Sequence, residues 1–325
     1  MSIIEKAARR IDLDRSSQAT VAAPVPAHAT APAVQADVDT LEPSLALPPV
    51  MTTPAVAPMA PPGAPALPVP DADHAGTAPA LRAPTRVVEL DLVKMREMGM
   101  VTAAGGRTSL LEDFRLIKRP LLKRAFAEPT PGGNPGNLIM LTSSLPGEGK
   151  TYCAINLAMS IAMELDHTVL LVDADVARPS VLRTLGLPAQ RGLMDLLVED
   201  KLDVSDVLLR TNVDTLSILA AGTSTPRATE LLASSTMASL VHEIANRYPD
   251  RIVIFDSPPL LLTSEARALA SHMGQIVVVV EAQGTTQHAL KEALHQLEGY
   301  DNVNLIYNKT RDIPGIEETY DYHYG

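Results

Sequence analysis

Residues 138–151, Leu-Ile-Met-Leu-Thr-Ser-Ser-Leu-Pro-Gly-Glu-Gly-Lys-Thr, constrain this chain more than any other stretch. An apolar run of strand length ends in a loop with two glycines, and a helical pattern opens at Lys150. A buried strand that feeds a helix through a short loop is the start of a βαβ unit. The loop fits most of the G-x-x-x-x-G-K-[ST] pattern. There, glycines let backbone N–H groups face phosphate oxygens, and the helix N-terminus adds to the attraction. In that pattern Lys150 reaches the β- and γ-phosphates and Thr151 offers its hydroxyl to Mg2+. Ser144 stands where the first glycine is usual.

The stretch 87–312 repeats this alternation. Strand candidates are 138–142, 168–173, 215–220, 252–256, 276–281 and 303–307, and helical segments are 150–165, 226–246, 264–272 and 286–298. Most of the strands are continuous apolar runs, as in sheets buried on both faces. The expected fold is therefore α/β, a P-loop nucleotidase with a mostly parallel sheet flanked by helices. Two strands end in acid. One runs into Asp173-Ala174-Asp175, the other into Asp256-Ser257-Pro258-Pro259. Open parallel sheets bind ligands at their carboxyl ends, so these carboxylates are placed to hold Mg2+ or to take a proton from an attacking hydroxyl. Asp256 fits the second acidic motif of P-loop nucleotidases, which supports Mg2+ through water.

Outside that region the composition changes. From about 20 to 85 the chain carries 15 of its 27 prolines and no aromatic residue. Proline removes backbone donors and fixes φ, so residues 19–86 read as a disordered Pro/Ala-rich tether. As a coil it would span about 45 Å. Before it, residues 1–18 would hold a short amphipathic helix with Ile3, Ile4, Ala7 and Ile11 on one face, or else a frayed terminus.

No run approaches the ~20 apolar residues of a membrane helix, and the N-terminus has no secretory apolar core, so a cytoplasmic protein is expected. The net charge of −11 argues against a nucleic-acid partner, and a single cysteine excludes a multi-cysteine metal site.

The tail, 313–325, is expected to leave the domain at Pro314 and Gly315. It carries three of the seven tyrosines, Tyr320, Tyr322 and Tyr324, beside Glu317, Glu318 and Asp321. It reads as a phosphoacceptor cluster or as a frayed end whose tyrosines dock on a neighbour.

Taken together, the loop 143–151, the Asp173–Asp175 and Asp256–Pro259 motifs and the tyrosine tail resemble the bacterial tyrosine kinases. These are P-loop autokinases of capsule and exopolysaccharide systems, and the resemblance covers about 88–325. It extends upstream, where Glu112, Arg115 and Lys118 look like that family's E-x-x-R-x-x-R oligomerisation helix, with Lys118 in place of the second arginine. Asn308 matches the position where related ATPases read adenine, and equally fits a strand-end turn. Ala177 departs from the family's D-x-D-x-R, with Arg178 adjacent. The N-terminal helix, the tether and segment 92–100 resemble the autokinases of exosortase-associated exopolysaccharide loci.

The resemblance implies ATP and Mg2+ as cofactors. Pro146, Gly147, Glu148, Gly149, Lys150, Thr151, Tyr152 and Asn308 would bind the nucleotide. Thr151, Asp175 and Asp256 would organise Mg2+, and Lys150, Asp173, Asp175 and Asp256 would be catalytic, with Asp173 the base for the tyrosine hydroxyl. The base and metal roles of Asp173 and Asp175 are interchangeable at this level. The tail would enter a neighbouring subunit's site in a ring, and accumulated negative charge would loosen that ring. Partners implied are a separate membrane polysaccharide co-polymerase as activator, which would hold the protein at the inner membrane, and a tyrosine phosphatase.

Three other readings share the fold or the loop. A partitioning or septum-site type ATPase carries a second lysine where this chain has Leu145, and has no use for a tyrosine tail. A non-catalytic, nucleotide-gated scaffold of polysaccharide assembly would tolerate Ala177. A metal-carrier ATPase sits poorly with Cys153 as the only cysteine.

Overall fold

Along each central strand, successive side chains serve opposite faces, and the two faces collect two separate cores. The computed structural model describes residues 86–310 apart from 104, 105, 107, 129 and 130. The expected N-terminal helix, the tether before residue 86 and the tyrosine tail lie outside the described residues.

The strands are β1 (Arg86–Val88), β2 (Leu138–Ser143), β3 (Thr168–Asp173), β4 (Leu209–Thr211), β5 (Leu216–Leu219), β6 (Arg251–Asp256), β7 (Gln275–Glu281) and β8 (Val303–Asn308). They form one sheet in the order β1-β4-β5-β3-β6-β2-β7-β8. From β5 to β8 every neighbour is parallel. β4 pairs antiparallel with β5, and β1 runs parallel to β4, so the two strands at that edge are reversed. The sheet is thus mostly parallel, as the apolar strand runs imply. The six strand candidates each appear within a residue or two of their expected bounds, whereas β1 and β4 do not stand out in the sequence.

The helices are α1 (Leu92–Glu97), α2 (Ser109–Ala125), α3 (Lys150–Ala162), α4 (Val181–Thr184), α5 (Leu193–Val198), α6 (Val204–Val207), α7 (Ala228–Leu232), α8 (Ser235–Asn246), α9 (Glu265–Ala270) and α10 (Gln287–His295). The expected helix at 226–246 is two helices. Ala233 ends the first and Ser234 caps the second, its hydroxyl accepting the Met237 amide at 3.1 Å.

On one face, Ile139, Leu141, Val169, Leu171, Ile252 and Ile254 pack under α3 and, beyond it, Leu111, Phe114 and Leu121 of α2. On the other, Met140, Leu170, Val172, Val253 and Phe255 pack against Leu232, Met237, Val241 and Leu269 of α7, α8 and α9. α3 is buried along most of its length because it is sandwiched between the sheet and α2. Its outer side carries polar residues at helical spacing that hold the preceding chain. The Tyr152 hydroxyl donates to the Gly99 carbonyl at 2.5 Å, and Asn156 Oδ1 accepts the Val101 amide at 2.7 Å.

The reading of Glu112, Arg115 and Lys118 as one interaction face needs correction at Lys118. Glu112 and Arg115 pair with each other on the outside of α2. Lys118 is only 5% exposed, donates to the Ser160 carbonyl of α3 at 2.6 Å and pairs with Glu164. About 60° round the helix from Arg115 and about 120° from Glu112, its ammonium is turned inward and joins α2 to α3. Among the described residues no helix is long and apolar enough to cross a membrane.

Candidate functional site

The carboxyl ends of β2, β3 and β6 lie side by side, with Asp173 directly opposite Asp256 in the ladder. This register brings acids more than eighty residues apart in sequence to one level of the sheet. The loop after β2 curls over them. Gly147 and Gly149 both have left-handed φ, 87° and 97°, which side-chain-bearing residues rarely adopt. A side chain at Gly149 would also collide with Asn308, whose Nδ2 lies 2.0 Å from where a Cβ would stand. The first helical bond of α3 is from the Cys153 amide to the Gly149 carbonyl, so the amides of Lys150, Thr151 and Tyr152 are unused by the helix.

Lys150 turns into the acids. Its Nζ donates to Asp175 Oδ2 at 2.7 Å and lies 3.8 Å from Asp256 Oδ1. The Thr151 hydroxyl donates to Asp256 Oδ2 at 2.6 Å and shares a 2.8 Å hydrogen bond with Ser180 Oγ. Asp173 Oδ2 accepts the amides of Ser180 and Val181, both at 2.9 Å, and fixes the turn that leads into α4. Asp175 Oδ1 accepts the Arg178 amide at 3.1 Å. The exposed Arg178 guanidinium makes no hydrogen bond or ion pair among the described residues, and Ala177 is exposed beside it.

Two carboxylates, Asp175 and Asp256, thus flank one ammonium, and its charge also acts on Asp173. Burial pushes the Asp256 carboxyl up to about 7, with Lys150 and the Thr151 hydroxyl pulling the other way. Burial likewise raises Asp173 to about 6, against its two amide hydrogen bonds. Asp173 Oδ1 and Asp256 Oδ1 are both buried without a hydrogen-bond partner. The unpartnered Asp256 oxygen beside the Thr151 hydroxyl is a hard donor, and it fits a Mg2+ ion that also keeps waters and phosphate oxygens. Among the described residues no group of three or more acidic, histidine or cysteine side chains is arranged to hold a metal ion.

This electrostatic arrangement has a pH signature. Asp173 and Asp256 titrate above their ordinary value of 3.8, so the folded state holds protons that the unfolded chain has released. Stability without Mg2+ therefore falls as pH rises through about 6 to 7. The melting temperature of the metal-free protein is expected to be higher at pH 6 than at pH 8. Asp256→Asn or saturating Mg2+ is expected to flatten the difference. The exposed His295, raised by its hydrogen bond to Glu298, shifts stability in the same direction, so the Asp256→Asn comparison isolates the site. Equal slopes in wild type and variant would remove Asp256 as the cause.

Of the residues expected at the site, Pro146 to Thr151, Asp173, Asp175, Asp256 and Asn308 come together. The Tyr152 side chain does not. It projects from α3 to Gly99, and only its backbone amide remains on the loop side. Asn308 reaches the loop itself, its Nδ2 donating to the Glu148 carbonyl at 2.9 Å.

Several partners had no signal in the sequence. The Thr285 hydroxyl donates to Glu148 Oε1, whose Oε2 accepts the Leu145 amide at 2.9 Å. Lys309 Nζ donates to the Gly147 carbonyl at 2.7 Å and pairs with Glu281 at 3.0 Å. Ser180, seven residues past Asp173, is visible only as a polar residue after a strand end.

A family model described as an AAA domain matches residues 136–310. The chain is 29% identical over 155 residues to the putative tyrosine-protein kinase CapB of Staphylococcus aureus, covering 48% of this chain and 66% of that protein. It is 33% identical over 159 residues to the tyrosine-protein kinase YwqD of Bacillus subtilis, covering 49% and 65%. The matched regions thus span just under two thirds of these two relatives. The solved BceF tyrosine kinase domain superposes with a TM-score of 0.55 at 26% identity, over 69% of this chain and 91% of that one. The matched stretch takes in the glycine loop and both strand-end acids, and the chain belongs to the family described as an AAA domain, with bacterial tyrosine-protein kinases among its relatives.

Proposed function

We propose that this protein is an ATP-dependent protein-tyrosine autokinase that phosphorylates Tyr320, Tyr322 and Tyr324 between copies of itself. The convergence of Lys150, Thr151, Asp175 and Asp256 under the loop carries this reading. Loop amides and Lys150 bind the nucleotide's terminal phosphates, and Lys150 leaves Asp175 as it does so. Thr151, Asp175 and Asp256 hold Mg2+, which when bound neutralises phosphate charge during transfer. Asp173 takes the proton of the acceptor hydroxyl at Oδ1, the oxygen its turn leaves unpartnered. A carboxyl raised to about 6 is near the operating pH, where a general base is most effective.

Copies assemble with Glu112 and Arg115 exposed on α2, and each tail enters a neighbour's site. Phosphate accumulating on an already acidic tail then loosens the assembly. On this reading the protein regulates exopolysaccharide or capsule production, with a membrane co-polymerase as activator and a phosphatase that resets the tail. The exosortase-associated subgroup is the form of such a system that segment 92–100 and the tether resemble.

Incubation of the purified full chain with Mg-ATP, with mapping of phosphotyrosine by mass spectrometry, tests this. Phosphate on the tail is expected in wild type and absent when all three tail tyrosines are phenylalanine. A wild-type protein that binds nucleotide yet gains no phosphotyrosine, even with the co-polymerase's cytoplasmic segment added, would leave a nucleotide-gated scaffold as the function.

A further inference from the structure

Gly147 and Glu148 have their carbonyl oxygens held from outside the loop. Lys309 Nζ takes the first at 2.7 Å and Asn308 Nδ2 takes the second at 2.9 Å. In a planar trans peptide the C=O and the N–H of the next residue point in opposite directions. Drawing the Gly147 oxygen toward β8 therefore turns the Glu148 amide away from β8, and drawing the Glu148 oxygen there does the same for the Gly149 amide. With Gly149 left-handed and α3 beginning after it, these successive N–H groups form an anion-binding nest.

The remaining polar group of this part of the loop is tied off as well. The Glu148 carboxylate is occupied by the Leu145 amide and the Thr285 hydroxyl, so it does not face an incoming anion. Lys309 holds its position in a left-handed conformation, φ 57°, that a lysine rarely adopts. Its pair with Glu281, across the β7–β8 edge, steadies the ammonium against the loop carbonyl.

We infer that Asn308 and Lys309 are positioning residues that aim the loop amides at the ligand's phosphates, acting through the carbonyls of Gly147 and Glu148. This rests on the nucleotide-binding part of the proposed function. It gives Asn308 a task that involves no contact with a base.

The test uses the full chain with two probes, Mg-ADP by calorimetry and Mg-pyrophosphate by competition. Asn308→Ala and Lys309→Met are each expected to weaken both probes by about tenfold, as loss of a charge-assisted or well-formed hydrogen bond would. The melting temperature without ligand is expected to stay near wild type. Lys309→Arg is expected to recover most of the affinity. Unchanged affinity in both variants overturns the inference, as does a loss matched by a fall in the ligand-free melting temperature. Loss for Mg-ADP alone would make Asn308 a reader of the base. Failure in Lys309→Met but not Asn308→Ala would reduce the effect to general charge. A wild type that binds neither probe overturns both the inference and the nucleotide reading. Binding without phosphotyrosine overturns only the kinase.

Discussion

Lys150→Met is expected to lower tail phosphorylation by about 10²–10³-fold, the range seen when one preorganised group that stabilises transition-state charge is removed. The ammonium is almost enclosed, 2.7 Å from Asp175 and 3.8 Å from Asp256, and it is the cation set among the strand-end acids. Methionine keeps most of the length and none of the charge. The phosphates would then meet the strand-end carboxylates without the ammonium that sits among them. The same change also raises the cost of ionising Asp256 and Asp173, since Lys150 favours the charged form of both. Rates of phosphotyrosine appearance, measured alongside Mg-ADP affinity, separate the two effects. A variant within threefold of wild type in rate would show that Lys150 does not act on the transferred phosphate.

The largest effect on stability is expected from Phe255→Ala. Phe255 is fully buried in β6, at the middle of the sheet, against the core shared with α7, α8 and α9. Deleting a buried phenylalanine ring costs about 3–5 kcal/mol because neighbours close the void only partly. Domains of this kind are stable by only about 5–15 kcal/mol, and each kcal/mol is worth about 2–4 °C at this size. A fall of about 6–20 °C in melting temperature follows. Asp256 is the next residue along the same strand, so the loss is expected to weaken Mg-ADP binding in the folded fraction as well. A chemical-denaturation midpoint close to wild type would mean that β6 repacks without the ring.

The long apolar strands were legible because burial on both faces leaves an unbroken signature over five or six residues. β1 and β4 have three residues each, and β1 is largely exposed, so neither carries enough pattern to read. Their reversed direction is a property of the edge and of the tight β4–β5 connection, which no periodicity encodes. The loop and the acids were legible for a chemical reason, since phosphate and Mg2+ chemistry admits few residue types. Lys118 was not. A lysine is a surface residue by default, and its burial depends on the Ser160 carbonyl, 42 residues away. Thr285 and Lys309 were hidden in the same way, because what matters is where their hydrogen bonds land, and the loop they reach is more than 130 residues earlier.

The family match begins at residue 136, yet the packing around α3 draws in residues from Gly99 onward. Gly99 and Val101 satisfy Tyr152 and Asn156, Lys118 spans to Ser160, and Phe114 with Leu121 seals the outer side of α3. A fragment cut at the boundary of the recognisable domain would present that helix's buried flank and its unanswered polar groups to water. The borders by which the protein is known from its relatives and the borders within which it can be handled as an independent body are not the same. Expression designs should follow the second.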